Sequence, residues 1–403
     1  MSILIIGGSL SGLRAAERLR SEGWAGDIVV ISAENHMPYN RPPLSKELLW
    51  GEDSPSDLEF ELSPLVADIQ WKLGVSATSL NIDKKRVELS NGETLTYEGL
   101  VIATGVKSRR LNAPGPQDGR VILRTLDDAV DLKDNLKSGL KLVILGAGFI
   151  GCEVASTARK LGCEVDVVAM DEVAMQVPLG KMVGAEIQRR HEAEGVRFHM
   201  GVSIAELQGE GKVQEVVLTD GRKLHADLVL ETIGSIPNTE WLADNNLDLS
   251  NGVLCDEYLR AGGNAGVVVV GDVARFANPL FDAPPLRIEH WQTAIDTANY
   301  GARTLLSDLG HGSDALKPIS VMPWFWSDQG ETRMSSFGML GLANRQEVLE
   351  GELSGDCAIG YFREDVPVGV VLVGLKEKSA RYKRWLQKAR DEYLAGQETS
   401  RHA

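Results

Sequence analysis

At 403 residues, with 42 Lys and Arg against 57 Asp and Glu and a formal net charge of -15, the chain is too long for one ordinary hydrophobic core and too acidic overall to suggest a nucleic-acid partner. Its four cysteines (Cys152, Cys163, Cys255, Cys357) show no C-x-x-C spacing, which argues against a zinc site or a disulfide framework and for a reducing, cytoplasmic setting. There is no basic leader before the apolar Ile3 to Ile6, and no run reaches the roughly 18 apolar residues of a membrane span.

In chain order, residues 3–6 read as a strand, Gly7, Gly8, Ser9, Leu10, Ser11 and Gly12 as a glycine-rich turn, 13–21 as a helix and 27–31 as a second strand, after which stands the acidic Glu34. Alternating patterns over 85–89 and 95–102 predict two further strands. Ala113, Pro114, Gly115 and Pro116 have the turn chemistry of a domain crossing. The opening pattern then returns: a strand over 142–145, a turn of Gly146, Ala147, Gly148, Phe149, Ile150 and Gly151, a helix to residue 160 and a strand over 164–168. The chain contains an internal duplication of a βαβ unit.

Each unit makes sense as a dinucleotide site. The first glycine permits the tight turn, the second lets backbone approach a pyrophosphate, and the third lets helix pack on strand. The phosphates then meet the free N–H groups of a helix N-terminus. Ser9 departs from the pattern by occupying the second glycine position, where its hydroxyl is placed to donate to a phosphate oxygen. In the second unit Ala169 stands where a ribose-binding acid often ends the strand, and Asp171 is the nearby substitute. Residues 170–177 contain no Lys or Arg to receive a 2′-phosphate, so NADH is favoured over NADPH.

The run Pro38, Tyr39, Asn40, Arg41, Pro42, Pro43, Leu44, Ser45, Lys46 closely resembles the P-Y-x-R-P-P-L-S-K signature of FAD-dependent ferredoxin reductases, which serve bacterial cytochrome P450 and aromatic-ring dioxygenase systems. Further segments similar to that family follow in its order: 100–105, ending in Ala103, Thr104 and Gly105; 123–129; Ile233 and Gly234; 237–239; 270–274; 289–291; and 324–329. The resemblance spans nearly the whole chain. It implies an α/β fold of two Rossmann-like dinucleotide-binding domains, glutathione-reductase-like, plus an α+β C-terminal domain. The implied boundaries are 1–112 and 235–315 for a discontinuous FAD domain, 113–234 for the NADH domain and 316–403 for the C-terminal domain.

The resemblance also implies roles. Gly7, Ser9, Leu10, Ser11 and Gly12 would cradle FAD, Glu34 its adenosine ribose, Arg41 its phosphates, and Asp272 after Gly271 its ribityl chain. Ala103, Thr104, Gly105, Arg124, His290, Trp291 and Trp326 complete the implied FAD set; Gly146, Gly148, Phe149, Ile150, Gly151, Asp171, Ile233 and Gly234 form the NADH set. Lys46 and Glu153 are the candidate catalytic pair, with the lysine beside the flavin and the carboxylate moderating its charge.

No early cysteine of the kind disulfide reductases require precedes Cys152, which reads as helix packing. The implied activity is hydride transfer from NADH to FAD, then transfer of single electrons to a small, acidic iron–sulfur ferredoxin. Rubredoxin, quinone or monodehydroascorbate reductases, and a redox-gated binding protein resembling apoptosis-inducing factor, are the alternatives. The basic run Lys376, Lys378, Arg381, Lys383, Arg384, Lys388 and Arg390 reads either as a ferredoxin-docking patch or as a solvated helix face.

Overall fold

The computed structural model describes residues 2–51, 53–312 and 315–401. The chain divides into two compact units, one of Met1–Asn40, Glu59–Lys107 and Ile236–Phe325, the other of Arg41–Leu58, Ser108–Ser235 and Trp326–Ala403.

In the first unit, strand Ser2–Ile6 lies at the centre of a five-stranded parallel sheet with order Val267–Val269, Gly99–Ile102, Ser2–Ile6, Asp27–Ile31, Gln70–Lys72. Ile3, Leu4, Ile5 and Ile6 are unbroken apolar because a parallel strand is covered on both faces. Helix Leu10–Ser21 lays Leu13, Ala16 and Leu19 into a core shared with Ala298, Ala302 and Leu305 of helix Trp291–Asp308. The helix begins three residues before the 13–21 expectation, because Ser9 is its N-cap and the end of the glycine turn is already helical. The strand expected over 95–102 is two strands in different sheets. Thr94–Thr96 belongs to a small antiparallel meander and Gly99–Ile102 to the parallel sheet. Between them the Tyr97 N–H bonds back to Lys85 while that of Glu98 bonds to Ser2, so the chain changes sheet there.

The second unit repeats the parallel plan, with order Arg197–Met200, Glu164–Ala169, Lys141–Leu145, Leu228–Glu231, Arg120–Val121. Helix Phe149–Lys160 follows the central strand and is buried along most of its length. Helix Gln176–Ala193 carries a break at Gly180, whose backbone is non-helical (φ 74°). The freed carbonyl of Leu179 accepts from Gln346 Nε2 at 2.6 Å and Tyr361 Oη at 2.7 Å. These two donors stand on neighbouring strands, Arg345–Gly351 and Cys357–Arg363, of the C-terminal antiparallel sheet. Helix Ser379–Arg401 packs on that sheet.

Strand Leu228–Glu231 ends on a buried charge. Glu231, 1% exposed, accepts from Arg120 Nε at 2.6 Å and from the Leu111 N–H at 2.8 Å. Glu231→Ala would leave Arg120 buried without its carboxylate and is expected to cost about 3–5 kcal/mol of stability. The urea midpoint measures this, and an unchanged midpoint would show that Arg120 escapes to solvent.

Candidate functional site

Both glycine turns are built by the same contacts. Gly7 has φ +121°, and a Cβ there would stand 2.1 Å from the Ala103 carbonyl oxygen; Gly146 has φ +110°, and its Cβ would stand 2.3 Å from that of Thr232. The third glycines pack on the first, since a Cβ on Gly12 would meet Gly7 O at 1.9 Å and one on Gly151 would meet Gly146 O at 2.2 Å. The middle positions differ in kind. Gly148 is the N-cap of its helix at φ -84°, ψ -170°, and Ser9 is the N-cap of its own at φ -97°, ψ -161°. These are extended conformations open to any residue, so serine is unstrained there. A Cβ on Gly148 would meet nothing within 4 Å. Open space beside Gly148, at a helix N-terminus whose first N–H groups have no intrahelical carbonyl, fits the pyrophosphate of a dinucleotide, and Ser9 opens its helix with the same backbone.

Around the first turn, Gly271 bonds through its N–H to Thr297 Oγ1 at 2.9 Å, and its Cα lies so close to Ser11 that an added Cβ would come within 2.3 Å of the serine Oγ. Asp272 is therefore held next to the start of helix Leu10–Ser21. Thr104 Oγ1 donates to the Asn238 carbonyl at 2.8 Å and Asn238 Nδ2 returns a bond to the Thr104 carbonyl at 2.9 Å, which pins Gly105 beside them. Glu34 is half-buried past the end of strand Asp27–Ile31 and accepts from the buried Tyr39 hydroxyl at 2.5 Å. Tyr39 belongs to the signature run, and its spacing from Glu34 carries no signal of this bond. Trp291 opens its helix and donates to Asn40 Oδ1 at 3.2 Å. His290, its neighbour, lies 5.0 Å from the Phe325 ring.

In the second unit, Phe149 and Ile150 form the first turn of the helix, Ile150 being 42% exposed. Gly234 accepts from the Arg109 N–H at 2.9 Å, and Thr232, just before Ile233, ties the strand end to the turn through Gly146 O at 3.1 Å. Asp171 is half-buried in the turn after strand Glu164–Ala169, its carbonyl taking the Gly201 N–H. Arg41 donates to the Arg124 carbonyl at 2.6 Å. Trp326 is half-buried on strand Trp324–Gln329.

Lys46 and Glu153 meet in the interior of this unit. Lys46 Nζ lies 3.1 Å from Glu153 Oε1 and 4.0 Å from Asp328 Oδ2, and both members of the pair are about as buried as core residues, with side chains 8% exposed. Ser45 Oγ donates to Glu153 Oε2 at 2.6 Å and Ser327 Oγ to Oε1 at 2.5 Å. Thr157, one turn along from Glu153, donates to the Ser45 carbonyl at 3.0 Å and holds the Lys46 segment on the helix. Ser45 and Ser327 both lie within family-like motifs, 38–46 and 324–329, whose resemblance implies no role for either serine. Ser327 and Gln329 alternate along one strand, which is a signal that they share a face.

All four cysteines are buried and free, and burial beside Glu153 pushes the Cys152 thiol up to about 12. None has the lowered pKa of a redox nucleophile. The basic run divides. Lys376, Arg381, Lys383, Arg384 and Lys388 are exposed, Lys378 and Arg381 pair with Glu350, and Arg390 is fully buried, which removes it from any surface patch. No helix among the described residues is long and apolar enough to cross a membrane.

Comparison with known proteins gives two family matches. Residues 1–298 match the family described as pyridine nucleotide-disulphide oxidoreductase, and residues 324–395 match the reductase C-terminal domain. The ferredoxin reductase component of chlorobenzene dioxygenase from Cupriavidus sp. (strain PS12) is 36% identical over 371 residues, 90% of this chain and 86% of that protein. A rubredoxin-NAD(+) reductase of Pseudomonas putida is 33% identical over 363 residues, 88% of this chain and 92% of that protein. Among solved structures, the covalent putidaredoxin reductase–putidaredoxin complex superposes with a TM-score of 0.90 at 30% identity, covering 96% of this chain and 93% of the other.

His290 yields a test of the local environment. Burial lowers its pKa from 6.5 to about 4, so the folded state keeps the ring neutral where the unfolded state takes up a proton. Its contribution is intact above the unfolded pKa of 6.5 and is lost as pH falls to about 4. His290→Gln should flatten the fall of the urea midpoint across that window; an unaltered slope would place the ring in water.

Proposed function

The chain belongs to the pyridine nucleotide-disulphide oxidoreductase family, and on that premise we propose that it is an NADH-dependent ferredoxin reductase supplying single electrons to an iron–sulfur partner of a monooxygenase or dioxygenase. The observation that carries this reading is the buried Lys46–Glu153 pair, whose carboxylate stands on the helix of the second glycine turn, in a chain whose cysteines are all buried. Relatives named as ferredoxin reductase components support the acceptor. The relative named as a rubredoxin reductase supports rubredoxin as the second reading. Cytoplasm is the proposed location.

The proposed domains are FAD-binding over 1–112 and 235–315, NADH-binding over 113–234 and C-terminal over 316–403. FAD, when bound, supplies the conversion of a hydride's electron pair into single electrons. The chain binds and orients. In this reading the N-termini at Ser9 and Gly148 take the pyrophosphates, with Leu10, Ser11, Gly12 and Phe149, Ile150, Gly151 as their first turns. Glu34, set by Tyr39, holds the adenosine ribose of FAD; Asp272 holds the ribityl hydroxyls; and Arg41, with Arg124, offsets phosphate charge. Thr104, Gly105, His290, Trp291 and Trp326 line the flavin, while Ile233 and Gly234 lie along NADH. Asp171 accepts from the NADH ribose and repels a 2′-phosphate. Lys46 sets the positive charge felt by the flavin, and Glu153 moderates it. Exposed Lys376, Arg381, Lys383 and Arg384 steer an acidic ferredoxin.

Anaerobic mixing with NADH should bleach the flavin far faster than mixing with NADPH, and cytochrome c reduction should then depend on added ferredoxin. Lys46→Ala should keep FAD bound and change the bleaching rate about tenfold; an unchanged rate sinks its role. In the same assay Lys383→Glu with Arg384→Glu should raise the apparent KM for ferredoxin most at low salt, and a salt-independent KM would place docking elsewhere.

A further inference from the structure

Beyond the Lys46–Glu153 pair the hydrogen bonds continue in one direction. Ser327 spends its only proton on Glu153 Oε1 at 2.5 Å, so toward its other neighbour it accepts, and Gln329 Nε2 donates to it at 2.7 Å. With its amide nitrogen committed there, Gln329 presents Oε1 to His191 Nε2 at 3.0 Å. An amide oxygen only accepts, so the His191 proton sits on Nε2. The other ring nitrogen, Nδ1, is buried and has no hydrogen-bond partner among the described residues, as befits a bare acceptor nitrogen. His191, Ser327, Gln329, Lys46 and Glu153 are all buried.

We propose that His191 is a positioning residue for the Lys46–Glu153 pair: as its Nε2–H tautomer it fixes Gln329, Gln329 fixes Ser327, and Ser327 fixes the carboxylate that holds the lysine ammonium. The proposal rests on the reading that Lys46 tunes the flavin. Three elements meet in this relay. His191 stands in the last turn of helix Gln176–Ala193, Ser327 and Gln329 on strand Trp324–Gln329, and Glu153 on the helix of the second glycine turn. A flipped Gln329 amide would set oxygen against the oxygen of Ser327 and nitrogen against Nε2–H of His191, so the register has a single satisfied arrangement. Burial lowers the His191 pKa, against the opposing pull of Gln329 and the Glu194 charge, and keeps the ring from acquiring a second N–H that would point at no acceptor. Loss of the histidine donor frees Gln329 to turn, and the carboxylate then loses one of its three side-chain partners.

The test uses the full-length, FAD-loaded protein with 15N-labelled histidines. His191 should show the Nε2–H pattern, unchanged from about pH 6 to about pH 9, and Ser327→Ala should shift its resonances. His191→Leu should slow NADH reduction of the flavin about tenfold and move the flavin midpoint potential, with FAD still bound. His191→Gln, which retains a side-chain N–H, should restore the rate to within about twofold. The effects of His191→Leu and Ser327→Ala should fail to multiply. An Nδ1–H tautomer, resonances indifferent to Ser327→Ala, or multiplying effects would each overturn the relay. If instead Lys46→Ala leaves reduction unchanged, the redox reading of the pair falls, while the tautomer and its response to Ser327→Ala still decide whether the relay exists. Should His191→Leu not fold, those two spectra decide it alone.

Discussion

Taking the Lys46 ammonium and the Glu153 carboxylate out of water costs several kcal/mol for each, and their mutual attraction offsets this only when the remaining lone pairs are filled. In this chain they are filled by Ser45 and Ser327, hydroxyls that arrive from the short helical turn Pro42–Ser45 and from strand Trp324–Gln329. The requirement reaches further, because each hydroxyl that donates to the carboxylate must itself be positioned. Thr157 secures the Ser45 segment and Gln329 secures Ser327. A buried pair that contributes little net stability thereby draws three separate pieces of chain into one arrangement.

The two glycine turns show how one backbone solution serves twice. Gly7 on Ala103 and Gly146 on Thr232 are contacts of backbone with backbone, so no side chain is tolerated at either position. The middle positions lie in ordinary extended backbone. Ser9 in place of a glycine is therefore a difference in what the turn offers a phosphate, with no conformational cost. The turn glycines fit the same description in both units; the acidic residues beyond the second strands do not, since Glu34 is oriented by Tyr39 and Asp171 sits in a turn of its own.

The parallel strands were legible because a continuous apolar run such as Ile3 to Ile6 is what a strand covered on both faces requires. Periodicity failed over 95–102, where Tyr97 and Glu98 carry the chain from one sheet to another without interrupting the apolar pattern. It was also blind to Arg390, which reads as one more cation in a basic run and is fully buried. Charge in a sequence says nothing of which face of a helix a residue occupies until the sheet beneath it is known.

What the sequence determined by itself is the pair of glycine-turn units, while Lys46 and Glu153 were picked out by the family resemblance. Glycine spacing acts within a few residues through local backbone geometry, and the signature around Lys46 is contiguous. What only the tertiary structure decided is everything that orients those residues. Ser45 and Glu153 are 108 positions apart, Glu153 and Ser327 are 174, and His191 and Gln329 are 138. Hydrogen bonds between such distant side chains depend on angles within about 30° and distances within a few tenths of an ångström, and those are set by how the strands and helices pack rather than by any local pattern along the chain.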